Sequence, residues 1–330
     1  MDPSAEHTVL ITGGGGFVGQ QLARGLLDSP LKIKKLVLTD ITKPAIPFND
    51  KDGVTEAVQT DITTPEGIKS LFEGRNYTTI AVLHGLMSGG SEVDFDLGMR
   101  VNLDSTRAFL EFIRHLNLPK PPVLLFTSSG AVFGGTLPSV IQDDTPANPQ
   151  GSYGIEKLIC ESFVYEYTRR GWIDGRIVRL PTVTVRAGTP NTALSGYASN
   201  IVREPLNGKP ATSPVPLDFP IFITHPKQLI KNLVHLLQVP AEKFPHGTRT
   251  LNMPGMTVTT AEILQALEKV GGKAAADLVT IKEDPSIRKL VDTWAPRFNT
   301  QRAYSLGLES DKSILDAVEY YKAELDAGRG

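Results

Sequence analysis

The chain has 330 residues, 40% hydrophobic and 21% charged, with a formal net charge of −2, a balance that gives no electrostatic reason for a nucleic-acid or membrane partner. No apolar stretch is long enough to span a bilayer, and the opening Met1-Asp2-Pro3-Ser4-Ala5-Glu6 lacks the basic-then-apolar layout of a signal peptide. Cys160 is the only cysteine and the six histidines follow no metal-ligand spacing, so a cytoplasmic protein with no internal disulfide and no metal site is expected.

Residues 9–12 read as a first strand and 16–27 as a helix with Val18, Leu22 and Leu26 on one face. Between them lies Thr12-Gly13-Gly14-Gly15-Gly16-Phe17-Val18-Gly19, the TGxxGxxG spacing of a dinucleotide-binding turn. Gly13 permits the tight turn, Gly16 lets a pyrophosphate approach the backbone, and Gly19 lets helix and strand pack closely. The helix start at Phe17 and Val18 offers unpaired N–H groups and a positive dipole end to phosphates.

Further strands are predicted at 36–39, 57–60, 80–83, 123–127 and 176–180, with helices at 65–72, 102–116 and 152–169. That alternation predicts an α/β chain, a Rossmann-type doubly wound parallel sheet covered on both faces. From 181 to 226 there are eight prolines, too many for sheet interior, and a smaller C-terminal α/β substrate lobe is expected there. Its helices are predicted at 195–203, 261–270 and 314–325, while the helical segment 226–237 leads back to the sheet. Residues 1–183, with a return segment near 224–252, form the expected dinucleotide-binding domain; 184–223 and 253–330 form the substrate-binding lobe.

Asp40 ends the second strand, where a carboxylate accepts hydrogen bonds from an adenosine ribose and repels a 2′-phosphate; NAD is favoured, while Lys43 leaves NADP open. Asp61-Ile62, after the third strand, is placed to meet an adenine. Leu83-His84-Gly85-Leu86 ends the fourth, where Gly85 permits close approach of a cofactor and His84 reads as a packed structural histidine. The decisive set is Ser129 with Tyr153-Gly154-Ile155-Glu156-Lys157. The i, i+4 spacing puts Tyr153 and Lys157 on one helix face. A phenol is a poor base near neutrality; the Lys157 ammonium and an oxidised nicotinamide are expected to lower its pKa. Tyr153 then takes the proton of a substrate hydroxyl that Ser129 orients.

Together these residues resemble an extended short-chain dehydrogenase/reductase of the NAD-dependent epimerase/dehydratase family. The likeness spans nearly the whole chain: TGGGGFVG, Asp40, Asp61-Ile62, Asn102, TSSGAVFG and the Tyr153/Lys157 pair. It implies that Asn102 sits near the nicotinamide half, that Lys157 also binds the nicotinamide ribose, and that Pro181 to Val183 line that pocket. His84-Gly85-Leu86-Met87 departs from the HxAA of many relatives.

The run from Arg179 to Asn191, then Ser195 to Leu206, Asn252-Met253-Pro254-Gly255 and Trp294, is similar to the D-erythronate dehydrogenase subgroup. That similarity implies NAD-dependent oxidation of a four-carbon sugar acid at C2 to the 2-oxo acid. A carboxylate reader is then needed, and Arg186 and Arg203 are both candidates, with Ser88 and Asn191 for substrate hydroxyls. The alternative reading is a nucleotide-sugar epimerase or dehydratase that retains its NAD. The family also implies a homodimer formed through the helices at 102–116 and 152–169.

Overall fold

The computed structural model describes residues 1–2, 4–188, 194–245 and 247–329. The first part of the chain runs β1 (Glu6–Thr12), α1 (Phe17–Leu27), β2 (Lys32–Asp40), β3 (Thr55–Gln59), α2 (Pro65–Phe72), β4 (Thr79–Val82), α3 (Ser88–Val93) and α4 (Phe95–Gly98). It continues as α5 (Ser105–His115), β5 (Val123–Ser129), α6 (Ser152–Arg169), β6 (Asp174–Leu180), β7 (Thr182–Val183), α7 (Tyr197–Leu206), β8 (Ala211–Ser213) and β9 (Pro220–Thr224). Last come α8 (Pro226–Gln238), β10 (Thr250–Asn252), β11 (Met256–Thr259), α9 (Thr260–Ala276), β12 (Val279–Ile281), α10 (Pro285–Val291), α11 (Gln301–Ser305) and α12 (Ile314–Asp326).

Seven strands form one parallel sheet in the order β10-β6-β5-β4-β1-β2-β3. Successive strand residues point to opposite faces, and the core divides accordingly. Val9, Ile11, Leu36, Leu38 and Leu125 pack with Leu22 and Leu26 of α1 and Leu229, Leu233 and Leu237 of α8. Leu10, Val37, Leu124 and Phe126 pack on the other face with α2, α5 and α6. The seventh strand, β10, adds only three residues, paired Thr250↔Ile177 to Asn252↔Arg179, and has too short a pattern to read from sequence. Beyond β6, the short sheets β11-β9-β7 and β12-β8 enclose a separate core with α7, α9 and α12.

The structure moves several predicted bounds. The helix expected over 102–116 becomes regular only at Ser105, because Met99–Asp104 form a π-helical turn. Hydroxyls contribute: Ser105 Oγ donates to the Val101 carbonyl (2.5 Å) and Thr106 Oγ1 to that of Asn102 (2.7 Å). Such wide turns often mark functional positions. The helix expected from 195 starts at Tyr197 after a 3-10 turn, and α9 runs to Ala276 with a break at Gly272, whose φ is 75°.

Leu125 is fully buried in the middle of the sheet. Leu125→Ala is expected to lower the unfolding free energy by about 2–5 kcal/mol, measured by urea denaturation.

Candidate active site

The strand order reverses between β1 and β4: β2 and β3 lie to one side, β5 and β6 to the other. The carboxyl ends of two such strands part there and leave a crevice. Two segments meet at it, the glycine turn after β1 and Leu83-His84-Gly85 after β4. Gly13 has φ 68°, and a Cβ there would lie 2.7 Å from the backbone of both Leu83 and His84, so only glycine fits. A Cβ on Gly19 would collide with the Gly13 carbonyl, and this seats α1 against the turn. The turn's own donors are spent internally: Gly14 N bonds Thr39 O, Gly15 N bonds Asp40 Oδ2 (3.0 Å), and Gly16 N bonds Gly13 O. The first turn of α1 is left without a side-chain cap and without an acidic residue.

Each predicted residue has a definite place. Asp40 closes β2 with its carboxylate on Gly15 N and Ile41 N (2.8 Å). Asp61 caps the turn into α2 through Thr63 N and Oγ1 (2.9 and 2.7 Å), while Ile62 packs into the core on the α2 face. Leu83 N bonds the Thr12 carbonyl. His84 bridges Thr12 Oγ1 (2.8 Å) and Ser105 Oγ (3.0 Å), and burial with the nearby Lys157 charge pushes its pKa down to about 3. It is a neutral brace. Val183 is buried beside half-buried Pro181, and Ser88 opens α3. Asn191 lies outside the described residues.

Asn102 sits in the π-helical turn and holds the Leu86 backbone at both ends, its Oδ1 accepting from Leu86 N (2.7 Å) and its Nδ2 donating to Leu86 O (3.1 Å). A Cβ on Gly85 would stand 2.8 Å from Asn102 Oδ1 and 3.4 Å from Lys157 Nζ, so the loop passes between them only as glycine. Sequence reading missed the buried Glu156. Its Oε2 accepts from Asn102 Nδ2 and Ser91 Oγ, tying the loop after β4 to α6. Its i+3 spacing from Tyr153 was the available signal. A second buried carboxylate, Glu161, takes both arms of Arg179 (2.9 and 2.6 Å) and fastens α6 to β6.

Ser129 ends β5 and Tyr153 opens α6, and Ser129 hydrogen-bonds the Tyr153 hydroxyl. Lys157 Nζ lies one turn on, 5.7 Å from the centre of the Tyr153 ring and 4.9 Å from that of Phe126. The lowering of the phenol pKa expected from Lys157 together with an oxidised nicotinamide does not come from the protein's own groups. Burial dominates and pushes Tyr153 up to about 12, with the Ser129 bond working against it, and the same burial lowers the pKa of Lys157. Desolvation disfavours both charged forms when neither directly hydrogen-bonds the other.

Residues 9–219 match the model of the NAD dependent epimerase/dehydratase family. The chain belongs to that family. A protein named D-erythronate dehydrogenase from Cupriavidus necator is 43% identical over 97% of this chain and 98% of its own length. One of the same name from Haemophilus influenzae is 36% identical over 95% and 98%. A crystal structure titled as a nucleoside-diphosphate-sugar epimerase from Agrobacterium tumefaciens superposes with TM-score 0.91 at 35% identity, covering 98% of this chain and 96% of that one. As a member of this epimerase/dehydratase family, the protein is an NAD-dependent oxidoreductase with a Rossmann-like fold. Among the described residues no helix is long and apolar enough to cross a membrane.

Two measurements check this geometry. Gly19→Ala cannot keep the turn against α1, and NAD affinity is expected to fall at least about tenfold, roughly 1.4 kcal/mol, by calorimetric titration. The second concerns pH. Unfolded histidines protonate near pH 6.5, but folded His84 waits until about 3 and His225 until about 4. The unfolded state therefore binds more protons over that interval, and stability must fall as pH drops below 6.5. The melting temperature of the native chain is expected to decline from pH 6.5 towards 4, and less steeply in His84→Gln.

Proposed function

We propose that this protein oxidises the C2 hydroxyl of a small sugar acid of the D-erythronate type to the 2-oxo acid, with NAD as a soluble co-substrate. The observation that carries the reading is the convergence of Ser129, Tyr153 and Lys157 beside the loop that Gly85 lets through. The substrate class rests on the two D-erythronate dehydrogenases, each matched over nearly its whole length.

The chain's own groups fit a dinucleotide. The uncapped start of α1 suits a diphosphate, the turn has no room for side chains at Gly13 and Gly19 where it meets β4 and α1, and Gly16 leaves its backbone open between them. Asp40 serves the adenosine ribose and Asp61 with Ile62 the adenine; Leu83, Gly85, Asn102, Pro181 and Val183 surround the nicotinamide half. Hydride acceptance is the chemistry that bound NAD supplies. Tyr153 Oη takes the proton of the C2 hydroxyl, and Ser129 Oγ holds that oxygen in line. Lys157 places its charge in the same buried pocket, where attraction to a forming phenolate is screened least. Ser88 and Asn191 serve the remaining hydroxyls. The protein works as a homodimer paired through α5 and α6, a reading supported by the exposed apolar side chains of Val93, Phe95 and Ile155 on α6 and its neighbours, and it resides in the cytoplasm.

NADH formation with D-erythronate, L-threonate, L-threonine and UDP-glucose tests the reading. Absorbance rising with D-erythronate is the expected result; recovery of epimerised sugar nucleotide with no net NADH would establish retained-NAD catalysis instead. Tyr153→Phe keeps the ring but loses the proton acceptor, so kcat is expected to drop by about 10²–10⁴-fold while NAD still binds. In the native enzyme kcat is expected to rise with pH, because only the ionised phenol can accept the proton.

A further inference from the structure

A cavity of about 560 Å³ is shared by Gly15 and Phe17 of the glycine turn and by Arg186, Asn200 and Arg203 of the C-terminal lobe. Its lining also includes Arg24 and Arg329 but none of Ser129, Tyr153 and Lys157. The charges around it do not balance. Arg24 and Arg329 share one carboxylate, Glu324 (2.9 and 2.8 Å), and Arg203 pairs with Glu204 (2.8 Å). Among the described residues Arg186 has no carboxylate partner, and the charge it feels most strongly is that of Arg203. Four guanidinium groups therefore meet two carboxylates. The uncapped, acid-free start of α1 adds the positive end of its dipole on the same side.

Arg203 is 5% exposed and is held by Asn200 Oδ1 (2.6 Å) and by the Arg186 carbonyl (3.2 Å). It braces the segment that carries Arg186. Arg186 is half-buried and has only the like charge of Arg203 nearby, so an anion would offset it, and an excess of two charges around the cavity matches a diphosphate. In a 2-hydroxy acid the carboxylate is one carbon–carbon bond from the reacting carbon, so its reader must lie close to Tyr153, whereas the cavity that Arg186 lines includes none of Ser129, Tyr153 and Lys157.

We propose that Arg186, braced by Arg203, is a phosphate clamp that the C-terminal lobe sets against the glycine turn to grip the cofactor's diphosphate. This replaces the carboxylate role expected for Arg186 from sequence and rests on the dinucleotide reading of the site. Because α7 belongs to the separate core of the lobe, the clamp ties that lobe to the central sheet when dinucleotide binds.

The test is calorimetric titration of the full chain with ADP-ribose and with adenosine, in the native form, Arg186→Gln and Arg186→Lys. Arg186→Gln is expected to weaken ADP-ribose about ten- to hundredfold and leave adenosine unchanged. Arg186→Lys, which keeps the charge and loses the fork, is expected to fall between. With NAD saturating, KM for the sugar acid should stay near the native value in both. Unchanged ADP-ribose affinity in both variants overturns the clamp, and a raised KM for the acid alongside it returns Arg186 to the carboxylate. If the native chain binds no ADP-ribose, the dinucleotide reading itself fails, and the clamp with it.

Discussion

Everything at this site depends on backbone lying against backbone where the turn after β1 meets the end of β4. Gly13 sits within touching distance of Leu83 and His84, and Gly19 seats α1 on that turn. Hydrogen bonds from Gly14, Gly15 and Gly16 then stay inside the turn or go to the end of β2, which leaves the start of α1 as the open donor surface. A side chain at Gly13 would separate the two strand ends and widen the crevice between them, and one at Gly19 would lift α1 off the turn.

Around that contact, three polar side chains hold segments together. His84 spans β1 and α5, Glu156 fastens the loop after β4 to α6, and Glu161 fastens α6 to β6 through Arg179. Breaking such a buried pair by removing one partner leaves an uncompensated charge, which costs more than the pair itself contributes. The helix carrying Tyr153 and Lys157 is thus held at two buried carboxylates, Glu156 and Glu161. Burial on that helix face desolvates the phenol of Tyr153 and pushes its pKa up to about 12.

Much of this was legible in the sequence. The order of strands and helices in the first 180 residues follows from periodicity, and the glycine turn, Asp40, Ser129, Tyr153 and Lys157 stand where that order places them. Glu156 was overlooked although it lies inside the Tyr153–Lys157 segment, because a charged residue on a helix usually faces water. The C-terminal half was harder: β7, β8, β10 and β12 have two or three residues each, too few for any period to register.

By itself the sequence determined which residue types stand at which intervals, and that suffices wherever a local rule governs. A glycine is required at a positive φ, i and i+4 share a helix face, and apolar alternation marks a buried strand. What only the tertiary structure decided is charge and proximity between distant segments. Arg186 and Asp40 lie far in sequence from the glycine turn, and no local pattern shows that Arg186 lines a cavity with Gly15 and Phe17. The pKa of Tyr153 is likewise a sum over everything packed around the phenol, and burial outweighs the Ser129 hydrogen bond that favours ionisation.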